Sequence, residues 1–120
     1  MKKTKMIKKN YEFRKNLSKG DYFSGKYIEA FVKNNNENLN FLGIAVGVKI
    51  AKAVKRNNIK RLIRESYYFL EKDIKVGYNI VFLWKKKADV KDANFKNIEK
   101  DMKNILIKAK IIEENIWKNY

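Results

Sequence analysis

Residues 78–84, Tyr-Asn-Ile-Val-Phe-Leu-Trp, are apolar at almost every position. A strand with one wet face alternates apolar and polar side chains. A run that does not alternate has to be covered on both sides, so it belongs in the middle of a sheet. The remainder of the chain must supply its neighbours and its covers. Residues 26–33 and 40–48 read as two further strands. In the first, Ile28, Ala30 and Val32 are expected on one side and Tyr27, Glu29 and Phe31 on the other. In the second, Leu42, Ile44, Val46 and Val48 alternate with Gly43, Ala45 and Gly47, a small-residue face that lets another element approach closely. The polar run from Lys33 to Asn38 between them reads as a hairpin loop.

Three segments carry helical spacing. The first, about 10–19, is opened by Asn10 as a cap and closed by Gly20, with Phe13 and Leu17 one turn apart on a shared face. The second spans roughly 52–72, with Ile59, Leu62, Ile63, Tyr67 and Leu70 as its buried stripe. The third covers about 92–112 and would bury Phe95, Ile98, Met102, Ile105, Leu106 and Ala109. Asp21 to Gly25 breaks the pattern. The order is αββαβα, an α/β (α+β two-layer) sandwich in which a small sheet packs on helices. The 120 residues make one domain. Residues 1–8, basic and without an acid, read as a mobile arm; residues 113–120, with Ile116, Trp117 and Tyr120, show no clear period.

Charge narrows the function. The formal net charge is +16, yet 45% of residues are hydrophobic and 16 are aromatic, so this is a folded basic domain rather than a disordered tail. Such a domain points to a polyanion, with nucleic acid ahead of a membrane surface. With no Cys and no His, thiolate zinc sites, disulfides and histidine acid–base chemistry are excluded. The chain also lacks a Gly-rich phosphate loop and a Ser in a nucleophile context, so no self-sufficient active site is expected. Asp89 with Asp92, or Glu113 with Glu114, could reach a hydrated metal, but such pairs are common on surfaces. No window approaches the 18 apolar residues of a membrane span, and no signal-length apolar run opens the chain. The expected location is therefore the cytoplasm.

Lysine is the default cation: 25 Lys stand against four Arg. Three of those four, Arg56, Arg61 and Arg64, fall within nine residues of the second helix. Arginine's planar fork suits bidentate phosphate binding and stacking, so the cluster marks a place where that geometry is needed. Arg56, Lys60 and Arg64 recur every four residues, a stripe about 12 Å long that could meet two or three phosphates. Arg61 projects to another face, beside Asn57 and Asn58. Phe13, Tyr27, Phe31 and Tyr120 lack an obvious core duty, and Phe13 and Phe31 could stack unpaired bases.

Val54-Lys55-Arg56-Asn57-Asn58-Ile59-Lys60-Arg61-Leu62-Ile63-Arg64-Glu65 resembles the signature of the bacterial ribonuclease P protein component, Arg-Asn-Arg-x-Lys-Arg-x-x-Arg-Glu. Leu42 to Lys49 resembles that family's preceding strand, and Lys9-Asn10-x-x-Phe13 its opening helix, so the likeness covers about residues 6–112. Three positions depart from it. Asn58 stands where Arg is usual, Val48-Lys49 where a cation pair is typical, and Leu17 where an aromatic often sits.

The resemblance implies a mixed sheet with a left-handed βαβ crossover. It also implies a subunit of a holoenzyme that removes the 5′ leader from precursor tRNA. The partners would be a catalytic RNA, which carries the chemistry with its own bound Mg²⁺, and precursor tRNA, with no small-molecule substrate and no cofactor intrinsic to the protein. Carried over by position, Phe13, Leu17, Phe31, Lys60 and Arg64 would bind the leader in a cleft between the central helix and the sheet. Arg56, Asn57, Asn58, Arg61 and Lys49 would face the catalytic RNA. From charge and element order alone, a ribosomal or other structural RNA-binding protein fits as well.

Overall fold

The computed structural model describes residues 3–8 and 10–112. The Asn10 side chain and residues 113–120, to which a cap and an uncertain tail were assigned above, lie outside that description. Eight elements follow in order: β1 (Thr4–Met6), α1 (Asn10–Lys19), β2 (Asp21–Ser24), β3 (Ile28–Asn34), β4 (Asn40–Ala45), α2 (Ala53–Leu70), β5 (Tyr78–Trp84) and α3 (Phe95–Lys108). The five strands form one sheet in the order β1-β4-β5-β3-β2. β5 has a parallel neighbour in β4 and an antiparallel one in β3, the central position that its unbroken apolar run required.

Two strands escaped the sequence pattern. Residues 1–8 are not simply an arm, because Thr4–Met6 pairs in parallel with β4, Thr4 opposite Asn40 and Met6 opposite Leu42. Thr4 is buried, and its Oγ1 lies 2.7 Å from the Tyr67 hydroxyl. Lys3 Nζ donates to the carbonyls of Lys72 and Ile74 just beyond α2, where a cation meets the negative end of the helix. Asp21–Ser24, read as a break, is the edge strand paired with β3. Three or four residues are too few to show a period.

The two helix–sheet faces differ. Ile59, Leu62, Ile63, Tyr67 and Leu70 of α2 join Ile98, Met102, Ile105 and Leu106 of α3 over Ile28, Ala30, Val32, Leu42, Ile80 and Phe82 of the sheet. Each such buried side chain contributes roughly 1.5–3 kcal/mol relative to exposure. Phe95 is 38% exposed rather than part of the stripe, its ring edge-on to Phe69 at 5.9 Å. α3 starts three residues later than the pattern suggested. Asn94 caps it by accepting from Asn97 N, and Asp89 caps the short turn at Val90–Asp92.

Two buried polar groups fix how the layers sit. The Asp101 carboxylate of α3 accepts the backbone N–H groups of Lys26, Tyr27 and Ile28 at 2.7–2.8 Å, holding the start of β3. Gly25 beside it has no room for a side chain, since a Cβ would overlap that carboxylate. Asn40 accepts from Tyr78 N and donates to Lys75 O, joining β4 to the approach to β5. Burial raises the Tyr67 hydroxyl above its ordinary pKa of 10, so it remains a neutral member of this cluster.

Candidate nucleic-acid interface

The second sheet face is the open one. Register places three rows across β4, β5 and β3 on it: Phe41–Asn79–Lys33, Gly43–Val81–Phe31 and Ala45–Leu83–Glu29. β2 extends the middle row with Tyr22 opposite Phe31, their ring centroids 5.2 Å apart. α1 covers only part of this face. Phe13 lies directly over Gly43, where an added Cβ would stand 3.0 Å from the Phe13 ring and 3.2 Å from Val81. The small-residue face of β4 thus serves α1, and a larger residue at position 43 would lift the helix.

What remains uncovered is a shallow aromatic surface. Phe13, Leu17 and Phe31 are half-buried and Tyr22 is exposed. The Tyr22 hydroxyl donates to Glu29 Oε2 at 2.6 Å, a bond that keeps it protonated and raises its pKa above 10. Beside this surface is a groove of about 290 Å³ lined by Tyr11, Lys15, Lys33, Phe41 and Asn79 with Glu37. Sequence reasoning missed those groove residues. The signal was there: Lys33 follows Phe31 by two in β3, Phe41 precedes Gly43 by two in β4, and strand alternation puts each pair on one face.

The cations sit on the opposite layer. α2 packs its apolar stripe against the sheet, so among the described residues the space between central helix and sheet is filled by buried side chains, where a cleft was expected. Lys60 and Arg64 flank the buried stripe and make no hydrogen bond or ion pair with any described residue. The structure therefore brings Phe13, Leu17 and Phe31 to one face and leaves Lys60 and Arg64 on the far side of the sheet from them.

Arg56, Asn57, Asn58, Arg61 and Lys49 occupy the start of α2 and the turn before it. Arg56 is committed locally: its Nη1 donates to Ala51 O at 2.7 Å, with Val48 O at 3.5 Å, which staples the 48–51 turn to the helix. β4 ends at Ala45 rather than at residue 48; the chain then turns, Ile50 N donating to Gly47 O, and Val48 in that turn is 74% exposed. Lys49 and Asn57 point to solvent. Arg61 is held on both sides, Nη1 to Glu65 Oε1 at 2.9 Å and Nη2 to Asn58 Oδ1 at 2.7 Å. Its guanidinium is thereby oriented outward from the helix as a planar fork.

The first turn of α2 contains no acid, and Lys52 provides no side-chain cap, so its free amide groups add to the charge of Lys52, Lys55 and Arg56. Among the described residues, no three acidic side chains converge where they could hold a metal ion. None of the helices described is long and apolar enough to cross a membrane.

Comparison with known proteins identifies the family and the fold. The sequence model of the family described as Ribonuclease P matches residues 1–110. A ribonuclease P protein component from Clostridium botulinum strain 657 is 44% identical over 110 residues, covering 91% of this chain and 97% of the relative. That of Clostridioides difficile strain 630 is 38% identical, covering 91% and 95%. The solved RNase P protein of Staphylococcus aureus superposes with a TM-score of 0.78 at 29% identity, covering 90% of this chain and 97% of that one. The RNase P protein of Thermotoga maritima shares the fold at the same TM-score with 24% identity.

Proposed function

The chain belongs to the bacterial ribonuclease P protein family and is a subunit of that tRNA-processing endoribonuclease, and from this premise we propose that its two layers divide the RNA between them. The partner RNA of the holoenzyme docks on the outward side of α2 through Arg61, Asn57, Asn58 and Lys49, with Arg56 holding the turn that presents Lys49. The unpaired 5′ leader of precursor tRNA crosses the open sheet face, stacking at Phe13 and Phe31 with Leu17 as an apolar wall. Lys60 and Arg64 stand on the other layer, so a leader stacked at Phe31 passes around the edge of the sheet before these cations, unpaired among the described residues, take its phosphates.

The hydrolysis belongs to the RNA, with Mg²⁺ held by that RNA, and the protein binds and orients. The observation that carries this reading is the separation itself: stacking groups on the open sheet face, and the outward cationic side of α2 on the other layer. Single-strand binding needs the first and backbone docking the second. The test adds the purified protein to its cognate catalytic RNA at low Mg²⁺ and measures 5′ cleavage of precursor tRNA. Stimulation that vanishes when the leader is shortened to one nucleotide supports the reading; stimulation indifferent to leader length contradicts the leader assignment.

A further inference from the structure

A third surface lies at the C-terminal ends of β4 and β5. The turn after β4 and the loop after β5 face each other across a trough of about 730 Å³, lined by Val48, Lys49, Lys86 and Asp89 among others. Lys86 also lines a second depression of about 330 Å³ that continues toward Lys26 and Lys87. The two join into one belt spanning the adjacent strands β4, β5 and β3, about 10 Å across at the usual strand spacing.

The lysine run that ends β5 is split in its duties. Lys85 turns inward, its Nζ donating to Ser24 Oγ at 2.8 Å and Gly25 O at 3.0 Å, which ties the loop to the strand edge. Lys86 and Lys87 are exposed and have no partner among the described residues. The two carboxylates in the belt are engaged: Asp89 accepts from Lys91 N, and Glu29 accepts from the Tyr22 hydroxyl. Lys26 lies over the Tyr27 ring at 5.3 Å. Among the described residues no aromatic ring lines the belt itself: Trp84 is buried, Tyr27 stacks on it at 6.1 Å, and the exposed Tyr22 belongs to the open sheet face and meets the belt only through its hydroxyl on Glu29. The Arg56 staple holds the Lys49 turn against the start of α2, so the belt continues the cationic side of that helix.

We propose that this belt is a further RNA-binding surface that takes the sugar–phosphate backbone of a paired RNA segment. Unpaired RNA is held by stacking on exposed rings, which the belt lacks. Paired RNA stacks on itself and presents its sugar–phosphate backbone outward, whose phosphates mobile lysine tips can meet without reading sequence. This goes beyond the leader and α2 contacts, and rests on the docking of α2 only in that the same RNA would run from one to the other.

The test compares Lys86→Ala with Lys87→Ala against a control pair of equal charge, Lys72→Ala with Lys108→Ala, both exposed and remote from the belt. Affinity is measured against salt for an RNA hairpin of about 16 base pairs and for an unpaired oligonucleotide; thermal melting confirms that both variants fold. The belt pair should lower the log–log salt slope on the hairpin by roughly 1–2, at about 0.9 per lost phosphate contact, with the control pair unchanged and the oligonucleotide little affected. An equal fall in the control pair, an unchanged slope in the belt pair, or a larger loss on the unpaired oligonucleotide would each overturn the proposal. The hairpin decides the belt, and Arg61→Ala on the cognate catalytic RNA decides the docking assignment, so the two can fail separately.

Discussion

The two sides of the sheet solve different problems with the same strands. On one side α2 and α3 close over Ile28, Ala30, Leu42, Ile80 and Phe82, and every charge of α2 is pushed outward. On the other, α1 touches down through Phe13 on Gly43 and leaves Phe31 and Tyr22 partly bare. The packed side gives rigidity, so its cations stand on a helix whose position the core fixes. The open side gives aromatic surface, because one short helix cannot cover five strands. A protein that had to hold both a folded RNA and a loose strand needs this asymmetry, since exposed rings serve unpaired bases and a fixed row of cations serves a backbone.

The comparison breaks most completely at Gly43. In Gly43→Val the new Cβ would stand 3.0 Å from the Phe13 ring and 3.2 Å from Val81, tighter than most real Cβ contacts, and valine adds two methyl groups beyond it. Overpacking of this kind costs about 1–3 kcal/mol, and the Phe13 ring, on which α1 rests, is the side chain that has to give way. The expected outcome is a lower melting temperature and at least a tenfold loss in the preference for precursor over mature tRNA, with affinity for the catalytic RNA retained. Equal losses on both ligands would show that the two sides are not independent.

Salt separates the two chemistries at the next level. Phe31→Ala removes a stacking platform worth about 1–3 kcal/mol per base, roughly 5- to 150-fold in precursor affinity, and should leave the salt slope unchanged because no charge is lost. Lys60→Ala with Arg64→Ala should weaken precursor binding more than mature tRNA binding, by a smaller factor than Phe31→Ala. It should also lower the slope by about 1.4, at roughly 0.7 per phosphate of a single strand. Equal weakening of precursor and mature tRNA would remove these two residues from the leader and assign them to α2's other partner.

Legibility followed element length. The central strand, the α2 stripe and most of the α3 stripe were readable because each repeats its period over several residues. β1 and β2 were not, since Thr4–Met6 and Asp21–Ser24 are too short to display one, and Lys3 and Lys5 disguised the first as an arm. Arg56, Lys60 and Arg64 form a stripe by spacing, yet spacing could not show that Arg56 bonds to Ala51 O while its neighbours stay free. Phe13 with Leu17 was legible from helical spacing, and their grouping with Phe31 came from the family resemblance. Their separation from Lys60 and Arg64 by the sheet was not, because it depends on which face each helix chooses, a choice made by long-range packing.

The smallest effect tests the departure at Asn58. An arginine there would add a charge but could not accept the hydrogen bond that Arg61 Nη2 donates to Asn58 Oδ1. At position 58 this chain gives up the cation of the family pattern and has an acceptor for Arg61 instead. Arg61 is exposed, Asn58 is half-buried and the bond between them lies at the surface, so the hold is worth about 0.2–1 kcal/mol. Asn58→Ala should therefore weaken catalytic-RNA binding no more than about fivefold, less than Arg61→Ala, and without changing the salt slope, since the charge remains and only its orientation is lost. In an Arg61→Ala background the same substitution should cost nothing further. A full additional loss there would mean that Asn58 meets the RNA directly, and the α2 face would then be read by two residues rather than by one residue and its support.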